Sequence, residues 1–203
     1  MAGSKARIAV LVSGGGTNLQ AIIDAQQKGI INSGRVELVI SNRKDAYALK
    51  RAELSGIPAV TVLRRDFRCQ EDFERALADE IQRAEIDLIV LAGFMTILSP
   101  WFTERFRQRI INVHPSLIPS FCGAGFYGLR VHEAALRKGV KVTGATVHYV
   151  NEIPDGGEII AQKAVRVFPG DTPERLQKRV MRQAEWIILP RAVEEVCSKL
   201  KEE

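Results

Sequence analysis

Arg7-Ile8-Ala9-Val10-Leu11-Val12-Ser13-Gly14-Gly15-Gly16-Thr17-Asn18-Leu19-Gln20-Ala21-Ile22 runs from an apolar segment through a glycine loop into an amphipathic one. The unbroken apolar run Ile8 to Val12 reads as a strand buried on both faces, beginning at Arg7. The loop Ser13 to Thr17 follows, and a helix is expected from about Asn18 to Lys28. Small residues between a strand and a helix let a ligand approach the backbone closely, and free amides at a helix start can hold a phosphate. The loop is neither G-x-G-x-x-G nor G-x-x-x-x-G-K-[ST], so it gives no reason to expect a dinucleotide or a nucleoside triphosphate.

The same alternation continues outward. Strands are expected at Val36–Ile40, Ala59–Leu63, Leu88–Ala92 and Ile110–His114, with helices at Ala46–Ser55, Gln70–Arg83 and around Trp101–Phe106. Phe73, Leu77 and Ile81 give the third helix its apolar stripe. This rhythm predicts an α/β fold: a doubly wound, Rossmann-like, mostly parallel sheet with helices on both faces. The second half changes character. After a helix at Val131–Arg137, strands at Val142–Val150 and Glu158–Val167 flank Asp155-Gly156-Gly157, which predicts an antiparallel C-terminal β-hairpin. Thr172 and Pro173 are the N-cap and first residue of a helix, and a long terminal helix should run to about Lys199, bent near Pro190. One unit spanning 1–203 is expected, without linker or repeat.

The 203 residues carry a formal charge of +5, with basic and acidic side chains interspersed on the expected helix faces. No basic block with interleaved aromatics suggests nucleic acid; a small anionic metabolite is the milder inference. No apolar run reaches the ~18 residues of a membrane span. Cys69, Cys122 and Cys197 are odd in number and scattered, which suggests reduced thiols, no zinc site and a cytoplasmic protein.

Chemistry concentrates in Asn112-Val113-His114-Pro115-Ser116-Leu117. Residues two apart in a strand share a face, so the amide and the imidazole project together at the strand's carboxyl end, where open α/β sheets bind ligands. Asp155 adds a carboxylate if the hairpin folds against that end; alone, Asp-Gly is an ordinary turn signal. An amide donor, an imidazole and a carboxylate suit acyl transfer. His132 reads as a structural or ligand-flanking residue on its helix, His148 as a satisfied polar group in a strand, and Glu185 as part of a solvated helix face.

Taken together, Ser13 to Ile22, Leu91-Ala92-Gly93-Phe94-Met95, Asn112 to Leu117 and Asp155-Gly156-Gly157 resemble the phosphoribosylglycinamide formyltransferases, folate-dependent enzymes of purine synthesis. The likeness covers essentially the whole chain. Asn-x-His-Pro-Ser-Leu marks the wider formyltransferase superfamily, and the glycine loop with Asn18-Leu19-Gln20 narrows it. The resemblance implies a formyltransferase fold, an N-terminal half binding the ribonucleotide, and a C-terminal half that binds folate and carries catalysis. It implies glycinamide ribonucleotide and 10-formyltetrahydrofolate as small-molecule substrates, no metal, no nucleic-acid or membrane partner, and a homodimer as one available assembly. By this likeness Asn112, His114 and Asp155 would be catalytic. Gly16, Thr17 and Asn18 would bind the phosphate-bearing end and glycinamide, and Glu185 the glycinamide amine. Met95, Thr96, Ile97 and Leu98, with Asn151, Glu152 and Asp155, would line the folate pocket, joined by Asn112 and more weakly by Gln70. The chain departs from the family pattern at Gln70 and Thr96, where arginines are common, at Trp186, where a histidine is common, and in extra length at Cys122 to Phe126.

Overall fold

The computed structural model describes residues 5–202. Its strands are β1 (Ala6–Val12), β2 (Gly34–Ser41), β3 (Ala59–Thr61), β4 (Leu88–Leu91), β5 (Ile110–His114), β6 (Val142–Tyr149) and β7 (Ile159–Arg166). They form a seven-stranded sheet in the order β3-β2-β1-β4-β5-β6-β7. Neighbours from β3 to β5 pair in parallel, and β6 and β7 are antiparallel additions. The helices are α1 (Thr17–Gln27), α2 (Tyr47–Leu54), α3 (Gln70–Arg83), α4 (Pro100–Arg105), α5 (Leu129–Lys138), α6 (Pro173–Val180) and α7 (Trp186–Glu202).

The unbroken apolar run of β1 has a direct cause. Ile8, Val10 and Val12 pack into one core with Leu19 and Ile22 of α1 and Leu189 and Val193 of α7. Ala9 and Leu11 face the other way, into a second core with Phe73, Leu77 and Ile81 of α3. Successive residues serve opposite faces, so neither can be polar. This is the doubly wound arrangement that the alternation predicts.

Two local expectations need correction. The third strand is three residues long, Ala59–Thr61. It is an edge strand beside the end of β2, and the chain leaves the sheet for a 3₁₀ turn at Arg64–Asp66. The long terminal helix is present, but its regularity breaks at a π turn, Met181–Glu185, between α6 and α7, where the sequence suggests only a bend near Pro190. Pro190 is buried inside α7, close enough to its start that the hydrogen bond it cannot make would reach back to the π turn's boundary at Trp186. The antiparallel hairpin forms as expected. Its loop runs from 150 to 158, with a four-residue turn closed by Gly156 N–H donating to Ile153 O at 2.9 Å. Pro154 and Asp155 are the turn's central residues, and Asp155 has φ +56°, a value that type II turns require at that place. A side chain at Gly157 would put its Cβ 1.8 Å from Tyr149 O, so the loop base admits only glycine there.

The loop after β4 is fixed by one buried carboxylate. Glu74 of α3 is fully buried and accepts from Ser99 N–H at 2.7 Å, Gln70 Nε2 at 2.8 Å and the Ser99 hydroxyl. Ser99 in turn caps α4, with Pro100 at its first position. Glu74→Ala should therefore cost about 2–4 kcal/mol, since charged hydrogen bonds contribute roughly 1.5–3 kcal/mol each and a buried donor is left unmet. Urea denaturation checks this; a loss below about 1 kcal/mol would show that water replaces the carboxylate.

Candidate active site

The carboxyl ends of β1, β4 and β5 converge where the strand order reverses, the usual ligand crevice of an open α/β sheet. The loop after β4 is tied to the glycine loop by Met95 N–H donating to Ser13 Oγ at 2.8 Å. From the other side, α2 takes the glycine loop's carbonyls: Ala48 N–H donates to Gly14 O at 3.1 Å and Arg51 Nε to Gly15 O at 2.8 Å. Gly16 precedes α1 with φ +69°, and a Cβ there would lie 2.6 Å from Ala48 Cβ. Glycine is thus required twice over at this position, by conformation and by space. The first amides of α1, with no acceptor inside the helix, lie just beyond it.

Asn112 and His114 project from the end of β5. The antiparallel register sets Asn112 opposite His148 and His114 opposite Thr146. His148 Nδ1 lies 2.8 Å from Tyr149 O. A carbonyl only accepts, so Nδ1 carries a hydrogen; Nε2, 3.2 Å from Asn112 Nδ2, accepts from the amide in the neutral ring and donates to Asp155 when the ring is protonated. That fixes the amide while leaving its second N–H for another acceptor. Asp155 reaches over from the hairpin loop. Its Oδ2 is 3.4 Å from His114 Nδ1 and its Oδ1 is 3.5 Å from His148 Nε2. Oδ2 also accepts from Gly123 N–H at 2.8 Å. His114 Nε2 donates to Phe121 O at 2.8 Å. Both nitrogens of His114 therefore face acceptors, a geometry suited to an imidazolium.

Burial works against that charge. It is the largest influence on His114 and holds its pKa below the ordinary value, even though Asp155 and the Phe121 carbonyl both push upward. Burial also raises Asp155, but there the hydrogen bond from His148, the proximity of His114 and the Gly123 amide prevail, and its pKa is lowered. The carboxylate stays ionised, and His114 loses a proton readily until a negative charge approaches. At the other end, Glu185 sits on the π turn, 6% exposed, with Oε2 accepting from Asn18 Nδ2 at 2.7 Å. Burial raises its carboxyl to about 7, against the Asn18 bond that lowers it. The helical periodicity that suggests a solvated face at Glu185 fails because the π turn rotates the residue inward.

A cavity of about 620 Å³ joins these groups. Asn18, Met95, Thr96, Ile97, Asn112, His114, Asp155 and Glu185 all line it. A narrower arm of about 130 Å³ continues between the 94–98 segment and the hairpin loop, lined by Leu98, Asn151 and Glu152 together with Thr96, Ile97, Asn112 and Asp155. Three expected residues are elsewhere. Gly16 packs on Ala48, and Thr17 lines a separate groove between α1 and α7. Gln70 faces neither space, because its amide donates to Glu74 and to Ile97 O at 2.8 Å each. Two residues have a larger place than their sequence context suggests: His148, in contact with Asn112 and Asp155, and His132, which lines the cavity from α5. The extra loop lines it too, through Gly123 to Phe126.

The model of the formyl transferase family matches residues 6–193. The chain belongs to that family. The phosphoribosylglycinamide formyltransferase of Haemophilus influenzae is 45% identical over 184 residues, covering 91% of this chain and 84% of that protein. The human trifunctional purine biosynthetic protein adenosine-3 is 43% identical over 194 residues, which are 96% of this chain and 18% of that much longer relative. The crystal structure of glycinamide ribonucleotide transformylase 1 from Symbiobacterium toebii has the same fold, with a TM-score of 0.90 at 42% identity over 96% of this chain and 89% of that one. The formyltransferase fold expected from the sequence is borne out.

Two outcomes follow from the electrostatics. Asp155→Asn keeps a residue tolerant of positive φ while removing the charge that raises the His114 pKa. Histidine titration by NMR should therefore show His114 falling further, and an unchanged value would leave Asp155 with a role in the turn alone. Glu185 ionises near 4.5 when unfolded and about 7 when folded. A carboxyl whose folded pKa is the higher gives stability at low pH that is lost as pH rises through this window. Glu185→Gln should thus gain on the wild type between pH 4 and pH 8, by up to on the order of 3 kcal/mol. Parallel denaturation curves at the two ends of the window would show it, and a constant difference would mean that the carboxyl is not desolvated.

Proposed function

We propose that this chain transfers the formyl group of 10-formyltetrahydrofolate to the amine of glycinamide ribonucleotide, giving formylglycinamide ribonucleotide and tetrahydrofolate in de novo purine biosynthesis. The observation that carries this is the cavity itself: Asn112, His114 and Asp155 stand on one wall, and the Asn18–Glu185 pair borders the same space. A two-substrate acyl transfer needs both halves in one enclosure. The named relatives support the choice of substrates.

In this reading the glycine loop and the first amides of α1 take the phosphate, with Asn18 and Glu185 holding the rest of the ribonucleotide and its amine. The narrow arm, with apolar Leu91, Phe94, Leu98 and Val150 and polar Asn151 and Glu152, fits a flat heteroaromatic ring with hydrogen-bonding edges, as a folate carries. The formyl carbon then lies against Asn112 and His114. The amine attacks that carbon, and negative charge grows on the formyl oxygen. The free N–H of Asn112 and the His114 imidazolium receive it. His114 exchanges its bond to the Phe121 carbonyl for this oxygen, and the new charge, with Asp155 behind the ring, favours its protonation. Asp155 also holds a water that carries the amine's proton to N10 of the folate, and as the charge returns from the oxygen the bond between the formyl carbon and N10 breaks, releasing tetrahydrofolate. No side chain becomes acylated. Holding both substrates in one cavity supplies orientation, and the phosphate contacts contribute binding remote from the chemistry.

The chain would act as one formyltransferase unit in the cytoplasm; no helix among the described residues is long and apolar enough to cross a membrane. Purified protein mixed with both substrates should produce deformylated folate, followed by its absorbance, and no turnover at saturating substrate would refute the assignment. Gly16→Ala should raise the ribonucleotide KM about tenfold or more and leave the folate KM within about twofold, a loss near 1.4 kcal/mol. Equal changes in both would make the loop a turn without a phosphate.

A further inference from the structure

His132 lines the cavity from α5 and has no part in the chemistry above. It is fully buried, and neither Nδ1 nor Nε2 has a hydrogen-bond partner. Burial, with the nearby His114 adding to it, pushes the imidazole down to about 4. The ring is therefore neutral near pH 7, with one nitrogen donating and the other accepting. Its neighbours Val131, Ala134 and Ala135 are buried and apolar. A leucine in that place would fill the same space without leaving two polar atoms unmet, and buried polar groups are as a rule hydrogen-bonded. The residue borders the space where a ligand would sit, and its two orphan nitrogens lie beneath that wall, within reach of a ligand after a small shift of the ring.

The ligand chemistry follows from the ring's state and its surroundings. A neutral imidazole has no charge to offer a phosphate or an ammonium. It matches a group that also both donates and accepts, such as a hydroxyl or an amide. His132 lines the main cavity together with Asn18, Gln177 and Glu185, and none of these four lines the narrow arm assigned to the folate ring. We propose that His132 is a binding residue for the ribonucleotide, taking with its ring nitrogens the neutral hydrogen-bonding middle of that substrate, the ribose hydroxyls or the glycinamide amide, between phosphate and amine. This rests on the ribonucleotide reading given above.

The test is an imidazole ¹⁵N NMR titration of the wild-type protein, joined to binding measurements on His132→Leu and His132→Asn. Adding glycinamide ribonucleotide should move the His132 nitrogen resonances, and adding tetrahydrofolate alone should leave them in place. His132→Leu should weaken ribonucleotide binding about tenfold or more, change folate binding less than about twofold, and raise the melting temperature of the unliganded protein, because the orphan polar atoms are gone. His132→Asn, which keeps a donor and an acceptor, should recover part of the affinity. Resonances that do not respond to a ribonucleotide that demonstrably binds, or unaltered affinity in His132→Leu, would overturn the assignment of His132 alone. A wild-type protein that does not bind the ribonucleotide would overturn both this and the substrate reading on which it stands.

Discussion

One carboxylate holds the site together. Asp155 stands between two imidazoles, 3.4 Å from His114 Nδ1 and 3.5 Å from His148 Nε2, and accepts the Gly123 amide. In this way a residue of the hairpin loop joins β5, β6 and the loop that follows β5. The backbone is shaped for this contact. Asp155 adopts φ +56°, uncommon for a residue with a side chain, and Gly157 allows the loop base to close on Tyr149. A left-handed residue costs of order 1 kcal/mol and persists where the surroundings over-determine it. Here the turn, the two histidines and an amide all do so.

The rest of the fold places substrates before that carboxylate. The parallel strands β1, β4 and β5 end together, so Asn18 just past the glycine loop, the 93–97 segment and the Asn112–His114 pair border one space. The two antiparallel strands serve differently. β6 brings His148 opposite Asn112, and the loop between β6 and β7 delivers Asp155 from above. The π turn at Met181–Glu185 performs a similar service from the C-terminal side, setting a buried carboxyl beside Asn18. A regular helix would follow a different register at that point.

Much of this is legible in the sequence where a strong local signal exists. α3 runs from Gln70 to Arg83 and β5 from Ile110 to His114, as periodicity and apolar runs indicate. The shared face of Asn112 and His114 follows from strand geometry alone. What escapes is non-local. The role of His148 depends on the β5–β6 register, which no single segment reveals, although pairing the hairpin antiparallel to β5 would have brought it opposite Asn112. The φ of Asp155, the π turn and the engagement of Gln70 with Glu74 and Ile97 are set by tertiary contacts. The same holds for His132: a helical histidine looks ordinary until its burial and its unmet nitrogens are known.

The central claim is that His114 and Asp155 work as a unit on the developing charge. A double-mutant cycle on kcat tests it directly, with His114→Asn, Asp155→Asn and the pair. Each single change should lower kcat by about two orders of magnitude or more, within the range of positioned proton-transfer and oxyanion groups. The double variant should be little worse than the worse single one, because groups that act together are not additive. Independent losses that multiply in the double variant would contradict the account and separate the carboxylate from the imidazole.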